Sequence, residues 1–575
     1  MKLVKISQTL FFVLCSLYYT SIYSQVAPEK YWIMLTDKNN SPYSLSNPSA
    51  FLSQKSIDRR IKYGISFQQN DLPVNPFYID SIKKTGVTII NWSKWFNFVT
   101  IETNDSLALN KIYSLPFVKN VRKVAYATTI HKKKKEKNTN SVDVIFTDNN
   151  DKISKFNIPV LKKKSVGNYN YGFAENQVCM IACDYLHDLG FRGEGMTIAV
   201  LDAGFWNADT MAVFDSLWLN GQILGTRDFV KPGNNVFNES SHGMMVLSIM
   251  GGNIPGKLIG TAPKANYWLL RSEDANSEYL IEEGNWAVAA EFADSVGADI
   301  INSSLGYTIF DDSLQNHTYN DLDGNTALVS IAADIAASKG ILIVNSAGNS
   351  ANEPWHYIGT PADADSILTV GAVDPYGDYA YFSSVGPTSD GRIKPDVCAQ
   401  GVGTWVASMS GGNNVSAGNG TSFSSPVIAG ASACLWQSNL ASNNMEIIQA
   451  IKQSSSQYNN PDALLGYGIP NFAAAFLILS NKKIYNIDED ENVNIFPNPF
   501  IDKLYIVFSS VDTHAIQFKI FNLAGKLVHQ TEYFQLVSGF NSLNISNLNN
   551  LSKGIYILNI ISENKNFSKK IIKIK

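Results

Sequence analysis

The sequence predicts an α/β protein: a parallel sheet flanked by helices, preceded by a small α+β domain and followed by a C-terminal β-sandwich. Three observations carry this expectation. Between Phe173 and Ser480, apolar runs such as MTIAVLDAG, ILIVNSAGN and SILTVGAVD alternate with helical stretches such as EEGNWAVAAEFADSVG. Strands that are apolar throughout belong to a sheet covered on both faces. Upstream, Tyr31 to Val124 mixes strand and helix patterns in a short segment. Downstream of Ile495, short strands (KLYIVFS, IQFKIFN, GIYILNII) are punctuated by the turn signals NLAGK and LSKG. A chain of 575 residues is also too long for a single core.

Taken in order, residues 1–24 read as a secretory signal peptide. Lys2 and Lys5 precede the apolar run Leu10–Leu17, which is too short to span a bilayer, and Ser24 offers a small residue before a cut at Gln25. Leu14, bulky and directly before Cys15, argues against a lipoprotein-type cut. Residues 25–130 form the first domain. Its strands are YWIMLTD, FNFVTIET and VKNVRKVAYA. One helix, NPSAFLSQKSIDRRIKYG, is expected to begin at Asn47 or Ser49 and close at Gly64; a second is DSLALNKIYSLP. Residues 131–171, with KKKKEKNTN and LKKKSVGNYN, read as an exposed lysine-rich linker and a candidate processing region. Residues 172–480 hold the α/β core, 481–494 a second linker and 495–575 the sandwich.

Composition excludes several classes. Hydrophobic residues make up 45% and charged residues 17%, an ordinary globular balance. A net charge of −4 gives no global argument for nucleic acid or an anionic membrane. No stretch after the signal peptide is long and apolar enough for a transmembrane segment. Four cysteines follow it: Cys179, Cys183, Cys398 and Cys434. The count and an exported compartment would allow disulfides. However, Cys179 and Cys183 are four apart in a predicted helix, and the others sit in apolar runs, so buried free thiols are expected. Neither pair is read as having a His or Cys at ligand spacing, and no metal site is assigned.

The stretch GNGTSFSSP holds three serines behind glycines. A serine hydroxyl reacts at neutral pH only when a base takes its proton and a donor stabilises the oxyanion. The strand TIAVLDAGF ends at Asp202, and active groups of parallel sheets gather at the carboxyl ends of strands. SSHGMMVLSIMGG places His242 at the start of an apolar helix, and imidazole is the usual base for a serine. ILIVNSAGNS presents Asn349 in the turn after a strand, where its amide can donate. A helix starting near Ser422 would point backbone N–H groups at a developing anion. Each feature alone also fits a cap or a turn.

In the order D-A-G, S-H-G, S-A-G-N and G-T-S-F-S-S-P, these stretches resemble the signatures of the subtilisin-like serine peptidases, the subtilases, over roughly Gly172 to Ser480. The resemblance implies a subtilisin-like sheet. It makes Ser422 the nucleophile, His242 its general base and acid, Asp202 the group holding the imidazole, and Asn349 with the Ser422 N–H the oxyanion hole. Ser424 and Ser425 then pack and cap. INSSLGY resembles the cleft-lining strand, with Ser304, Leu305 and Gly306 pairing with an extended peptide. Two departures stand out: Phe423 and Met244 occupy positions where the family commonly has Met and Thr. The first domain resembles a subtilase propeptide, which implies a zymogen with a mature N-terminus between Lys132 and Gly172. The C-terminal domain, opening on NIFPNPF at Pro497, Asn498 and Pro499, resembles the sorting domain of the type IX secretion system. That implies export across both membranes, to the surface or the medium.

The expectation is a secreted serine endopeptidase acting on protein or peptide substrates, with the type IX machinery as partner, no nucleic acid and no transmembrane segment in the mature chain. A maturation protease with narrow targets, or a surface binding protein on an inactive scaffold, are the alternatives. No cofactor is expected. Structural calcium is common in the family, but no compact Asp/Asn run assigns it here.

Overall fold

Side chains along the central strands point alternately to two apolar layers, and that alternation organises the molecule. A computed structural model describes residues 29–126, 169–562 and 565–575. The signal peptide and most of the lysine-rich linker lie outside these.

The first domain runs β1 (Glu29–Leu35), α1 (Gln54–Lys62), α2 (Pro76–Lys83), β2 (Thr88–Ser93), β3 (Phe98–Thr103), α3 (Ser106–Tyr113) and β4 (Val118–Ala125). Its antiparallel sheet has the order β2-β3-β1-β4. The expected start of α1 needs correcting. Pro48–Ala50 form a separate short turn, and the helix begins at Gln54. Ser53, not Asn47 or Ser49, is its cap: the Ser53 Oγ accepts the Ser56 N–H at 3.3 Å. Gly64 follows the helix at φ +65°.

The core begins with α4 (Glu175–Cys179) and α5 (Cys183–Asp188). Here too the sequence reading needs correcting, because Cys179 and Cys183 do not share a helix. Ala182, at φ 55° and ψ 34°, interrupts it, so Cys183 opens a new one. Next come β5 (Thr197–Asp202), α6 (Asp215–Leu219), β6 (Ile223–Asp228), α7 (His242–Gly251), the hairpin β7 (Asn253–Ile254) and β8 (Leu258–Ile259), and β9 (Asn266–Arg271). They are followed by α8 (Ile281–Val296), β10 (Ile300–Ser303), α9 (Leu328–Ser338), β11 (Leu342–Ser346), β12 (Leu368–Val373) and β13 (Val397–Gln400). After the hairpin β14 (Thr404–Ala407) and β15 (Val415–Gly418) come α10 (Thr421–Ser438), α11 (Asn444–Gln453) and α12 (Phe472–Leu479).

Seven strands form one sheet in the order β13-β12-β11-β10-β5-β9-β6, and every pairing in it is parallel. Ile198 and Val200 of β5 face the layer that holds α7 and α10. Ala199 and Leu201 face the layer that holds α8 and α9. Trp32 and Phe98 of the first domain, stacked at 5.0 Å, join this second layer. The first domain therefore sits on the sheet's helical cover.

A buried ion network fastens it there. Asp294 of α8 takes Arg59 on one carboxylate oxygen and Arg60 on the other, both at 2.7 Å. Arg60 also reaches Asp71 at 3.1 Å, and Lys339 reaches the same carboxyl at 3.1 Å. Burial opposes the charge on Asp294, but Lys94, Arg60 and Arg59 together hold its carboxyl below the usual value.

The last domain has two sheets, as expected of a sandwich. One is β16 (Asn494–Phe496), β17 (Leu504–Ser510) and β21 (Gly539–Ile545). The other orders β19 (Leu527–Gln530), β18 (Ala515–Asn522), β22 (Gly554–Ser562) and β23 (Asn566–Lys573), with β20 (Phe534–Gln535) beside β18. Tyr505 packs edge-on against Tyr185 of α5 at 5.0 Å, and Lys503 pairs with Asp188. Among the described residues no helix is long and apolar enough to cross a membrane.

The network makes a prediction. Asp294→Asn keeps the shape and removes the charge facing two guanidiniums. In a full-length chain carrying Ser422→Ala, the first urea transition should lose about 3–5 kcal/mol at pH 7. A carboxyl whose folded pKa is lowered stabilises above its unfolded value of about 3.9, and that stability is lost as pH falls through the folded value. The gap between parent and Asp294→Asn should therefore close below about pH 4. An equal gap at pH 7 and pH 3 would contradict this account.

Candidate active site

A sheet covered on both faces can offer reactive groups only where its strands end. Asp202 is the last residue of β5, and His242 is the first of α7. Ser304 to Gly306 directly follow β10, and Asn349 lies three residues beyond β11. Ser422 is the second residue of α10. All seven candidate residues therefore lie at or just beyond strand ends or at helix starts.

Asp202 and His242 are paired. The His242 Nδ1 lies 2.9 Å from Asp202 Oδ1 and 3.0 Å from Oδ2. Asp202 Oδ1 also accepts the Ala203 N–H at 2.7 Å. The aspartate is fully buried, while the imidazole keeps 14% of its side chain exposed. Burial pushes the Asp202 carboxyl above its ordinary value, against the pull of His242 and the Ala203 N–H. A carboxylate bonded to Nδ1 fixes the imidazole orientation and leaves Nε2 for other chemistry.

The other groups gather at the start of α10. Phe423 brings its ring to 6.1 Å from the His242 ring, so the helix start and the imidazole are neighbours. The Asn349 Oδ1 accepts the Thr421 N–H at 2.8 Å and the Thr421 hydroxyl at 3.1 Å. With its oxygen held, the amide has Nδ2 as its donor. A side chain at Gly420 would place its Cβ 3.7 Å from Asn349 Nδ2 and 3.7 Å from Ser422 N. Gly420, at φ +151°, thus keeps open the space flanked by these two nitrogens. At the N-terminus of α10 the Ser422 N–H faces this space with the positive end of the helix dipole behind it.

Pro426 explains another contact. Without an N–H it cannot bond the carbonyl four residues earlier, which is that of Ser422. That carbonyl accepts the Ser304 hydroxyl at 2.9 Å instead, and the Ser422 hydroxyl donates to Ser304 O at 3.5 Å. The segment after β10 is so tied to the start of α10. Ser304 and Leu305 are buried, while Gly306 is exposed. Ser425 reaches Asn302 at 3.1 Å and Ser424 bonds Thr421 O at 3.0 Å, both buried. Met244 and Phe423, the two departures, are core residues.

Thr421 was not singled out from sequence. Its signal was the hydroxyl between Gly420 and Ser422, and its partner Asn349 is 72 residues away. His187 was missed as well. It follows Cys183 by four within α5, a spacing present in the stretch CDYLH.

Parts of the chain are similar to known proteins. Residues 193–468 match the model of the subtilase family, 30–141 that of the Bacteroidota peptidase S8 propeptide domain, and 494–575 that of a secretion system C-terminal sorting domain. Subtilisin DY of Bacillus licheniformis is 30% identical over 262 residues, 44% of this chain and 82% of that one. A thermophilic serine proteinase of Bacillus sp. (strain AK1) is 29% identical over 289 residues, 50% of this chain. This chain spans 62% of that relative's length. Among solved structures, MycP1 from Mycobacterium smegmatis is 20% identical, with a TM-score of 0.41, covering 55% of this chain and 86% of that one. The chain belongs to the subtilase family of serine peptidases, with a propeptide domain before the peptidase region and a secretion sorting domain after it.

Proposed function

We propose that the chain is an exported serine endopeptidase that hydrolyses peptide bonds of extracellular proteins through Asp202, His242 and Ser422. The observation that carries this reading is the pairing of buried Asp202 with His242 Nδ1 at 2.9 Å, beside a helix start that bears Ser422. In this mechanism His242 Nε2 takes the proton of Ser422 as its Oγ attacks the scissile carbonyl. Asp202 stabilises the imidazolium without itself taking the proton. The oxyanion accepts hydrogen bonds from Asn349 Nδ2 and the Ser422 N–H. His242 then protonates the leaving amine, and a water activated by the same imidazole hydrolyses the acyl-enzyme.

Ser304, Leu305 and Gly306 supply an edge along which an extended peptide adds as a strand. The first domain acts as the propeptide. Its last described residue, Tyr126, packs at 6.3 Å from Tyr279 in the loop after β9. The lysine-rich segment that follows in sequence is the proposed processing region. The C-terminal domain directs export by the type IX route after the signal peptide has directed passage through the inner membrane.

The test compares the wild-type chain with Ser422→Ala. Wild type is expected to label with a fluorophosphonate, cut casein and trim itself, with a new N-terminus between Lys132 and Gly172; the variant should do none of these. Labelling without casein cleavage would favour a narrow maturation role. A folded, trimmed chain that does not label would leave an inactive binding scaffold.

The two donors can be tested separately. Asn349→Ala should lower kcat by about 10²–10³ with little change in KM. Thr421→Val removes the hydroxyl that orients the Asn349 oxygen but keeps the backbone donor. Its kcat should fall about tenfold, and far less in an Asn349→Ala background, because residues acting through one another are not additive. Steady-state kinetics on one peptide substrate decides both.

A further inference from the structure

The remaining chemistry of interest is deep in the layer beneath α7 and α10, away from the candidate active site. Cys183, His187 and Cys434 are all fully buried there. Their ligand atoms lie within 4.8 Å of one another. Cys183 and His187 come from one face of α5, because four residues separate them. Cys434 comes from α10. A fourth atom completes the group, the carbonyl oxygen of Thr261 in the turn between β8 and β9. It lies 2.9 Å from His187 Nε2, 3.1 Å from Cys434 Sγ and 3.7 Å from Cys183 Sγ. Cys183 Sγ and His187 Nε2 are 3.6 Å apart.

Read as neutral groups, two thiols and an imidazole nitrogen crowd one carbonyl that has two lone pairs, with Cys183 and His187 also within reach of each other. Read as lone-pair donors, two sulfurs, one nitrogen and one oxygen converge on a common centre. A tetrahedron with edges near these distances has its centre about 2 Å from each corner, close to zinc bond lengths of about 2.0–2.3 Å. The set of two sulfurs and an imidazole is the one that a thiophilic divalent ion prefers. Charge balances too: two thiolates neutralise a divalent ion, so the buried site carries no net charge. The histidine is also held for the purpose. Its Nδ1 lies 2.7 Å from the buried hydroxyl of Tyr171, an outer contact that turns Nε2 toward the group. Gly430 lets α10 come this close, since a Cβ there would stand 2.1 Å from the Thr261 side-chain oxygen.

We propose that Cys183, His187, Cys434 and the Thr261 carbonyl bind one zinc-class ion that staples α5, the Thr261 turn and α10 together. Binding displaces the two thiol protons to solvent. Thr261 is 78 residues from Cys183 and 173 from Cys434, so the ion closes long loops. It is a structural site: Cys434 is twelve residues beyond Ser422 along α10, about 18 Å. It stands whether or not the peptidase reading does.

The full-length Ser422→Ala chain, purified after growth with zinc and exhaustive dialysis, is measured for metal by plasma mass spectrometry. About one zinc per chain is expected, falling at least tenfold in Cys183→Ser, His187→Gln and Cys434→Ser. Cys398→Ser should keep it. Refolding the parent chain with cobalt(II) should give thiolate-to-metal charge-transfer absorption, a readout that needs no variant to fold. Metal that survives all three substitutions overturns the proposal. So does a metal-free chain, whether its thiols react freely after unfolding or only after reduction; the latter outcome identifies a Cys183–Cys434 disulfide instead.

Discussion

Everything chemical in this molecule follows from a sheet with no free face. With helices over both sides, the seven parallel strands expose only their ends, and the loops leaving those ends must carry whatever the protein does. The pairing of Asp202 with His242 is the first product of that constraint. The carboxylate is fully buried at the end of β5, where an unpaired charge would be costly. The imidazole and one backbone N–H satisfy it, and in doing so the imidazole is oriented. Burial and orientation are here a single interaction.

The start of α10 repeats this logic with backbone groups. A helix N-terminus leaves N–H groups without partners. Gly420 leaves space in front of them, Thr421 turns the Asn349 amide toward the same space, and Ser422 stands between. Pro426 removes one further hydrogen bond and so frees the Ser422 carbonyl for the Ser304 hydroxyl. A proline inside a helix normally weakens it. Its effect here is to couple the proposed nucleophile to the strand segment along which a peptide would lie.

The site was legible because its residues sit in short local motifs. Asp202, His242, Asn349 and Ser422 each stand beside glycines or small residues that mark a strand end or helix start. What escaped was set by distance or by backbone. Thr421 holds Asn349 across 72 residues, which no periodicity reveals. The helix α1 began later than expected because Pro48–Ala50 form a separate turn in which Ser49 donates to the Asn47 side chain, while Ser53 caps the helix. The α2 helix and β2 strand of the first domain were not read at all; β2 is short, and its residues alternate between buried and exposed only in part. Cys179 and Cys183 looked like one helix face because an αL residue at Ala182 has no sequence mark: alanine is the best helix former and rarely adopts that conformation.

That single left-handed residue has a consequence for how the domains are joined. By restarting the helix at Cys183, it sets the phase of α5, and the phase decides which way each of its faces points. Cys183 and His187 turn inward toward α10. Tyr185 and Asp188 turn toward the last domain, where Tyr185 meets Tyr505 and Asp188 pairs with Lys503. One short helix therefore touches both the sorting domain and the helix that carries Ser422. The first domain, by contrast, docks mainly on the opposite cover through Asp294 and its two arginines, with Tyr63 also reaching Trp436 of α10 and Ser442. The ion network of the first domain and the α5 contacts of the last involve different residues, so loss of one leaves the other in place. For a chain whose first domain is proposed to be removed on maturation, independent docking lets that domain leave without unseating the last one.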